Sequence, residues 1–441
     1  MKTYFKSSAA AIAFLVFLNI MFWYFGFAVG KIYIKDSYEY LYQVENIKAG
    51  NSWYSGDIRQ RFIMELVSQR PPMYAAFLFV IKSLTPNDHF ALLIQCFFGV
   101  LNFYLILKLL GELGIKIAYP ILLFLPLIFF PTQMIYTNMI MSELLCQVTI
   151  TLAFYFIILF LIKHKIRDLL FFHICIALAI LTKPVWYLFW IPIAIFMGYL
   201  LWKKRIKIIH TLFVLIPVGV VFFVCLHNYN QTGYFHYSSI KRTNMANYNV
   251  YLTLMQNHSP AEADKILDDV YKAAGTKDNY KQYSEYIEAG NSRIIRENLP
   301  AYLWLETKGV FNFFVDHGRF DMYCFFAEPT TENMNGATYY FSRDGIKGMQ
   351  DYLSQFPLGL LIYLPIITLV NLLIALCFLL FLFNNKVSFE VRITALIFIL
   401  YLALITGPIG ASRFRMPVYP ILLFTLPLGI ATMKRIITRN K

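Results

Sequence analysis

Charged residues are scarce in this chain of 441 residues. Asp, Glu, Lys and Arg together make up 15% of the sequence, whereas hydrophobic residues make up 59%. Soluble proteins carry about 25% charged residues, so this composition cannot cover the surface of a soluble globular fold. The scarcity of charge therefore excludes a soluble protein and indicates a protein of the lipid bilayer.

Cysteine is also rare, and its distribution excludes two kinds of stabilising site. Of the six cysteines, only Cys324 lies clearly in a loop, and the others fall within or at the edges of apolar stretches. A single loop cysteine cannot form an internal disulfide, and the chain has no Cys-x-x-Cys spacing. Neither a disulfide framework nor a zinc site is expected.

The sequence also lacks the signs of a transferase that uses a nucleotide sugar in the cytoplasm. Such enzymes commonly carry an Asp-x-Asp metal motif on a soluble α/β domain, and this chain has neither. The pair Asp268-Asp269 is typical of a solvated helix face. We find no internal repeat and no alternating strand pattern beyond short pieces.

Apolar stretches of about 17–25 residues recur along the chain, each long enough to cross a bilayer core of about 30 Å. We therefore predict an all-α polytopic membrane protein with about 10–12 transmembrane helices and one large, mostly helical external loop. The segment 72–84 is short enough to be interfacial, and 168–202 is interrupted by Lys183-Pro184 and is predicted to form two spans. The first stretch lacks a cleavage site and is expected to be a retained anchor. The predicted crossings are 8–30, 89–110, 117–136, 139–162, two within 168–202, 208–227, 357–383, 391–411 and 416–433.

The same pattern divides the chain into three predicted regions. Residues 1–227 form an N-terminal transmembrane module that includes the first external loop, 31–70. Residues 228–356 form an extracytoplasmic loop domain, in which 261–299 has a helical pattern. Residues 357–441 form the C-terminal transmembrane helices.

The net charge of +14 is concentrated in short connectors. This distribution follows the positive-inside rule and predicts that both termini are cytoplasmic. The basic residues then contact anionic lipid headgroups, and nucleic acid is not expected as a partner. The residues concerned are Lys163, Lys165, Arg167, Lys203, Lys204, Arg205, Lys207, Lys386, Arg392, Lys434, Arg435, Arg439 and Lys441.

In this orientation, ionisable residues from five separate parts of the chain share the external face. Charged groups near a bilayer usually line a polar cavity or pair with one another, which predicts a single charged cavity. Each residue also has a plainer interpretation. Asp36 and Glu143 suit the start of a helix, Lys183 suits a turn, and the C-terminal arginines suit snorkelling at a helix end. The set is Asp36, Arg59, Arg61, Arg70, Glu143, Lys183, Arg413 and Arg415.

Five short elements carry the most specific pattern in the chain. They are Asp36–Tyr40 in the first external loop, Arg70–Tyr74 before the next helix, Ser142-Glu143, Lys183-Pro184, and Ser412–Pro420 near the C-terminus. Together and in this order they resemble the GT-C superfamily of polytopic membrane glycosyltransferases. The pattern is most similar to bacterial relatives of protein O-mannosyltransferases and of lipid A aminoarabinose transferases.

The resemblance covers roughly residues 1–230 and 357–441. The family's usual Pro after the Tyr of its Arg-x-Pro-x-Tyr-Pro element is replaced here by Ala75. The intervening loop 228–356 carries no motif of the family, and it therefore indicates nothing about the acceptor.

The resemblance implies transfer of a sugar from a polyprenyl-phosphate donor to an acceptor at the external face, with inversion at the anomeric carbon. It implies that Asp36 is the general base, which must lie within hydrogen-bond reach of the acceptor hydroxyl. It further implies that Arg413 and Arg415 bind the donor phosphate, assisted by Arg70 and Lys183. Fixed cations of this kind stabilise the negative charge that develops on the leaving phosphate.

Three further assignments come with the resemblance. Glu143 orients the sugar or the acceptor, and Tyr38, Tyr74 and Tyr419 line the sugar site. No cofactor is expected; a divalent metal is possible but is not indicated. The expected location is the bacterial inner (plasma) membrane, with the active site outside and the bilayer as a partner. The sugar and the acceptor, which could be a lipid, a glycan or a protein, stay open.

Other functions fit parts of the same pattern. A transporter or flippase of a lipid-linked or anionic substrate would also use a basic cavity and Pro-broken helices. Against it, the charges cluster on one face and the hydropathy shows no two-fold repeat. A polysaccharide polymerase or ligase would use similar external arginines, and an envelope assembly protein would use loop 228–356 to bind a partner.

Overall fold

The computed structural model describes residues 2–50, 53–115, 117, 119–326, 337–354 and 358–439. Within these residues the secondary structure is helical, and no β-strand is present. The prediction of an all-α protein is therefore confirmed.

The N-terminal part of the chain forms long apolar helices joined by short turns. One turn, Pro184–Trp186, follows Lys183, whose backbone is extended and ends the preceding helix. Because Pro has no N–H to donate, the two helices predicted within 168–202 separate at this point. The α-helices described here are α1 (Lys2–Val29), α2 (Lys35–Lys48), α3 (Met73–Leu84), α4 (Asp88–Glu112), α5 (Pro131–Thr137), α6 (Glu143–Lys163), α7 (Ile166–Thr182), α8 (Trp190–Trp202) and α9 (Leu215–Thr232).

The segment that follows consists of shorter and more polar helices. The helices predicted within 261–299 are present, and the first begins at Pro260 because the Ser259 side chain and Glu262 cap its end reciprocally. The α-helices described in this segment are α10 (Ile240–Asn244), α11 (Tyr251–Leu254), α12 (Pro260–Gly275), α13 (Tyr280–Glu297), α14 (Leu299–Val315), α15 (Arg319–Phe326) and α16 (Ala337–Ser354).

The C-terminal part returns to long apolar helices, interrupted by one short helix that carries two arginines. The described helices are α17 (Leu358–Leu382), α18 (Phe389–Ile405), α19 (Ser412–Arg415) and α20 (Tyr419–Arg439). The division of the chain into three regions stays a prediction.

Seven helices within the described residues are long and apolar enough to cross a membrane, or eight if one bent pair forms a single span. This is fewer than the predicted 10–12. Two predicted spans correspond to α7 and α18, which have 17 residues each and stand at the short end of the range for a crossing of about 17–25 residues. The helix α3 has 12 residues and is too short to cross, as predicted for the segment 72–84.

The predicted span 117–136 is not one continuous helix. It is divided into Pro120–Phe129 and Pro131–Thr137, which are bent by 80°. Pro131 opens the second piece and cannot donate a backbone hydrogen bond, so the helix breaks there. The break turns α5 away from the direction of the preceding segment.

The centre of the fold is α6, most of whose residues are buried. It packs against α4, α7 and the short turn Met416–Val418 before α20. The N-terminus of α6, the end of α7 and the helix α19 lie close together as a result. Glu143 begins α6, Lys183 follows the end of α7, and Arg413 lies within α19.

Candidate active site

Asp36 lies in the first turn of α2, but it does not cap that helix. The cap position is Ile34, and the Ser37 hydroxyl accepts a hydrogen bond from the Ile34 amide over 3.0 Å. The Asp36 carboxylate instead faces two guanidinium groups. Its Oδ1 lies 3.1 Å from Nη2 of Arg70, and its Oδ2 accepts from Nη2 of Arg413 over 3.2 Å.

Glu143 is the first residue of α6, and its carboxylate is fully buried. Its Oε1 accepts hydrogen bonds from Nζ of Lys183 (2.8 Å) and from Nε of Arg413 (2.6 Å). Its Oε2 is buried without a hydrogen-bond partner among the described residues. One oxygen of Glu143 thus holds two cations, and the other has hydrogen-bonding capacity that no described residue uses.

Arg70 is held just before α3 by contacts to α2. Its Nε donates to Oε2 of Glu39 over 2.5 Å, and its guanidinium lies over the ring of Tyr40 at 5.4 Å. The Gln43 side chain donates to the backbone carbonyl of Arg70 over 2.9 Å. Asp36 and Glu39 are three residues apart, so both carboxylates lie on one face of α2 and meet Arg70 together.

These contacts form a continuous chain of alternating charge, which we call the ion-pair cluster. Three carboxylates alternate with three cations, so the formal charge of the cluster is zero. Removing ions from water is costly unless each one is paired, and the alternation pairs every member. Along the chain of contacts, the cluster consists of Glu39, Arg70, Asp36, Arg413, Glu143 and Lys183.

Two members of the cluster are the most open to solvent. The side chains of Asp36 and Arg413 are 29% and 24% exposed, whereas those of the other four are at most 16% exposed. A molecule that approaches the cluster therefore meets one carboxylate and one guanidinium side by side.

The electrostatic environment keeps Asp36 ionised. Burial by itself raises the pKa of the Asp36 carboxyl, but the charges of Arg70 and Arg413 together hold that pKa below its usual value. Asp36 is therefore a carboxylate at neutral pH and can accept a proton.

Arg415 is not brought to the cluster. Its Nη1 donates to the backbone carbonyls of Phe313 (3.1 Å) and Phe314, and its Nη2 donates to that of Asp316 (2.9 Å). The side chain is buried and lies over the ring of Phe130. Its guanidinium binds the backbone carbonyls at the end of α14, and its role in binding the donor phosphate stays a prediction.

The aromatic residues predicted to line the sugar site are dispersed. Tyr38 is exposed on α2, beside Tyr33. Tyr74 is buried, and its hydroxyl donates to Oε1 of Gln95 over 2.8 Å, so it supports the fold behind the cluster. Tyr419 is buried against Phe130 and lies outside the cluster. The exposed position of Tyr38 keeps it accessible to a ligand.

Sequence reasoning missed one member of the cluster, Glu39, and two residues near it, Tyr136 and Asp321. Glu39 could have been found from its spacing to Asp36 on a helix. Tyr136, whose ring lies 5.2 Å from the guanidinium carbon of Arg413, sits in a long apolar stretch without a motif. Asp321, which accepts a hydrogen bond from the Tyr136 hydroxyl over 2.9 Å, lies in the loop region where no family motif was found.

An apolar cavity of about 420 Å³ lies next to the helices α5 and α15. Two of its lining residues, Met134 on α5 and Met322 on α15, are close in sequence to Tyr136 and Asp321. The cavity is therefore lined by the same two helices that carry Tyr136 and Asp321. Its walls are formed by Phe22, Leu127, Ile128, Pro131, Met134, Arg319, Met322, Tyr323, Phe326, Leu360, Tyr363 and Leu364.

Among the described residues, no group of three or more His, Cys, Asp or Glu side chains is arranged to hold a metal ion. Each carboxylate of the ion-pair cluster instead faces at least one cation. What the arrangement offers chemically is a proton acceptor beside several fixed positive charges.

Comparison with known proteins supports the resemblance found in the motifs. Residues 69–229 match the family model described as dolichyl-phosphate-mannose-protein mannosyltransferase. This range includes Arg70, Glu143 and Lys183. The match confirms the likeness to membrane glycosyltransferases of the GT-C superfamily. A comparison with curated proteins finds no match.

Two solved structures of ArnT from Cupriavidus metallidurans are similar to this chain. The structure in the apo state is 11% identical, with a TM-score of 0.39, over 97% of this chain and 78% of that chain. The structure bound to undecaprenyl phosphate is 13% identical, with a TM-score of 0.38, over 96% of this chain and 78% of that chain.

Proposed function

We propose that this protein is an inverting glycosyltransferase that moves a sugar from a polyprenyl-phosphate donor to an acceptor hydroxyl at the external face of the membrane. The observation that carries the proposal is the ion-pair cluster, in which the side chains of Asp36 and Arg413 are partly exposed. An apolar cavity lies next to the helices that carry Tyr136 and Asp321. The description of the matching family, a transferase that uses dolichyl-phosphate mannose, supports a lipid-phosphate donor.

The proposed reaction consists of one proton transfer and one substitution at the anomeric carbon. Asp36 accepts the proton of the acceptor hydroxyl as its oxygen forms a bond to the anomeric carbon. The bond from that carbon to the phosphate oxygen breaks, and the polyprenyl phosphate leaves with both bonding electrons. Attack opposite the leaving group inverts the anomeric carbon.

Binding of the donor is expected to activate Asp36. In the free protein Arg70 and Arg413 lower the pKa of Asp36 and so weaken it as a base. An anionic phosphate that engages Arg413 adds negative charge next to Asp36 and offsets part of this effect. The carboxylate then becomes more basic when a donor is in place, because a nearby anion disfavours its charged form.

The cations of the cluster stabilise the leaving group. Arg413 is already fixed by Asp36 and Glu143, so little reorganisation is needed when the phosphate gains charge. Arg70 and Lys183, which are paired with Asp36 and Glu143, add further positive charge near the leaving phosphate. We propose that these three cations take the role that a divalent metal has in other transferases.

Glu143 and the apolar cavity are assigned to the two ends of the donor. The unpartnered Oε2 of Glu143 suits a hydrogen bond from a sugar hydroxyl. Apart from Arg319, the cavity walls are apolar and aromatic, and they suit the first isoprene units of a polyprenyl chain.

Lipid analysis tests the proposal directly. Polyprenyl-phosphate lipids are extracted from cells that lack the chain and from the same cells with it restored, and both extracts are analysed by mass spectrometry. We expect one sugar-linked lipid to accumulate only without the chain, which also identifies the sugar. Identical lipid pools, with the restored protein present in the membrane, would exclude this donor class and favour the transporter or the assembly protein.

The external position of the site is a separate prediction. Ala289 is exposed on α13, so Ala289→Cys in a Cys324→Ser background is expected to react with a membrane-impermeant maleimide in intact cells. In the same background, Lys165→Cys in a predicted cytoplasmic connector is expected to react only after lysis, because the remaining native cysteines are buried. The opposite labelling pattern would place the cluster on the cytoplasmic side.

A further inference from the structure

The guanidinium of Arg413 is held on its edges and on one face. Asp36 and Glu143 accept its hydrogen bonds, and the ring of Tyr136 lies 5.2 Å from its central carbon. A cation over an aromatic face is attracted by the ring quadrupole, and the contact also fixes the plane of the guanidinium. Tyr136 therefore acts together with Asp36 and Glu143 in setting the direction in which Arg413 presents its N–H groups.

Tyr136 is itself fixed by Asp321. The Tyr136 hydroxyl donates to Oδ1 of Asp321 over 2.9 Å, while Oδ2 accepts from the hydroxyl of Ser412 over 3.1 Å. The hydroxyl of Thr132 lies 3.5 Å from the same Oδ2. Asp321 thus joins α5, α15 and the residue that precedes Arg413, although these segments are distant in sequence.

Burying the carboxyl group of Asp321 costs more free energy than burying an apolar side chain would. Its side chain is buried, and the groups that donate hydrogen bonds to it are neutral hydroxyls. Burial raises the pKa of Asp321 to about 6, although Arg413 nearby lowers it. The carboxyl accepts hydrogen bonds from hydroxyls on two other elements, so it fixes the Tyr136 hydroxyl relative to Ser412.

We infer that Asp321 is a positioning residue for donor binding, acting through the Tyr136 hydroxyl to orient Arg413 toward the phosphate. This inference rests on the proposed function, because it assigns the orientation of Arg413 to the capture of a lipid phosphate. Asp321 does not itself touch the donor.

The test is a set of coupled substitutions in the full-length chain, purified in detergent, with undecaprenyl phosphate as the probe. Tyr136→Phe keeps the ring under Arg413 and removes only the hydroxyl. Asp321→Leu removes the acceptor, whereas Asp321→Asn keeps an oxygen that can accept from Tyr136. We expect Tyr136→Phe and Asp321→Leu each to raise the dissociation constant about 3–10-fold, comparable to the loss of a single hydrogen bond of about 1 kcal/mol. Asp321→Asn should stay within about twofold of the unsubstituted chain.

The decisive measurement repeats these substitutions in an Arg413→Ala background. If Asp321 and Tyr136 act through Arg413, they have no further effect on affinity once Arg413 is absent, because coupled residues are not additive. A role in general stability would instead lower the affinity by the same factor in both backgrounds and would also lower the melting temperature.

Each outcome decides the inference. Unchanged affinity in Tyr136→Phe and Asp321→Leu, or losses that persist without Arg413, would overturn it while leaving the proposed function in place. If the unsubstituted chain does not bind undecaprenyl phosphate, this inference and the assignment of a polyprenyl-phosphate donor are overturned together. Loss of affinity only while Arg413 is present supports it.

Discussion

Asp36→Asn is expected to lower the rate of sugar transfer by about 10³-fold, within the range observed for loss of a general base. The amide has nearly the shape of the carboxylate but cannot take a proton at neutral pH. Its effect is expected on the chemical step, since Asp36 contributes no positive charge for the donor phosphate. The measurement is a single-turnover transfer assay with donor lipid isolated from cells that lack the chain.

Two controls accompany the Asp36 substitution. Glu45→Gln removes an exposed carboxylate from the same helix outside the ion-pair cluster and should leave transfer unchanged. Affinity of the Asp36→Asn protein for undecaprenyl phosphate should not fall, because the two arginines that face Asp36 stay in place. Transfer by Asp36→Asn at more than a tenth of the normal rate would remove Asp36 from the role of base.

Arg413→Ala is expected to reduce both donor affinity and rate, with kcat/KM lower by about 10²–10³-fold. This guanidinium joins Asp36 to Glu143, and it is the most exposed cation of the ion-pair cluster. Its loss removes the group that meets the phosphate and leaves Glu143 with Lys183 alone. The measurements are undecaprenyl phosphate binding and transfer at several donor concentrations.

Arg415→Met provides the matched control two residues away. It removes the donors that hold the carbonyls at the end of α14, and the unfolding midpoint is expected to fall, because buried carbonyls left without partners cost about 1–3 kcal/mol each. The folded protein should keep its donor affinity. If Arg415→Met weakens donor binding as strongly as Arg413→Ala does, the phosphate site includes Arg415 after all.

The ion-pair cluster matches the charge changes of the proposed reaction. A sugar phosphodiester carries one negative charge, and the polyprenyl phosphate that leaves carries about two at neutral pH. In the same reaction Asp36 becomes neutral by accepting the proton. The total charge at the site therefore stays constant during transfer, which limits the electrostatic cost of reaction in a poorly solvated place.

Sequence reasoning found most members of the cluster but could not separate the two C-terminal arginines. Arg413 and Arg415 belong to the same motif, and both were predicted to bind phosphate. Residues two apart on a helix do not face the same side, so only one of them can point to Asp36. Which one does depends on where α14 ends, because its last carbonyls attract the other.

The bent segment before α6 is a second feature that the sequence predicted only in part. Its apolar composition predicted a continuous span, and the proline that breaks it was visible in the sequence. The angle of 80° between its two pieces was not visible in the sequence. That bend is what places α5, and with it Tyr136, beside Arg413.

Composition and the lengths of apolar stretches determined that this chain is a helical membrane protein, because hydropathy acts within each segment regardless of its neighbours. Short motifs indicated the resemblance to membrane glycosyltransferases and five charged residues of the ion-pair cluster. Tertiary structure decided the order in which the charges pair, the removal of Arg415 from the cluster and the support of Arg413 by Tyr136 and Asp321. These contacts join residues as far apart as Asp36 and Arg413. They depend on how whole helices pack together, which no local pattern in the sequence records.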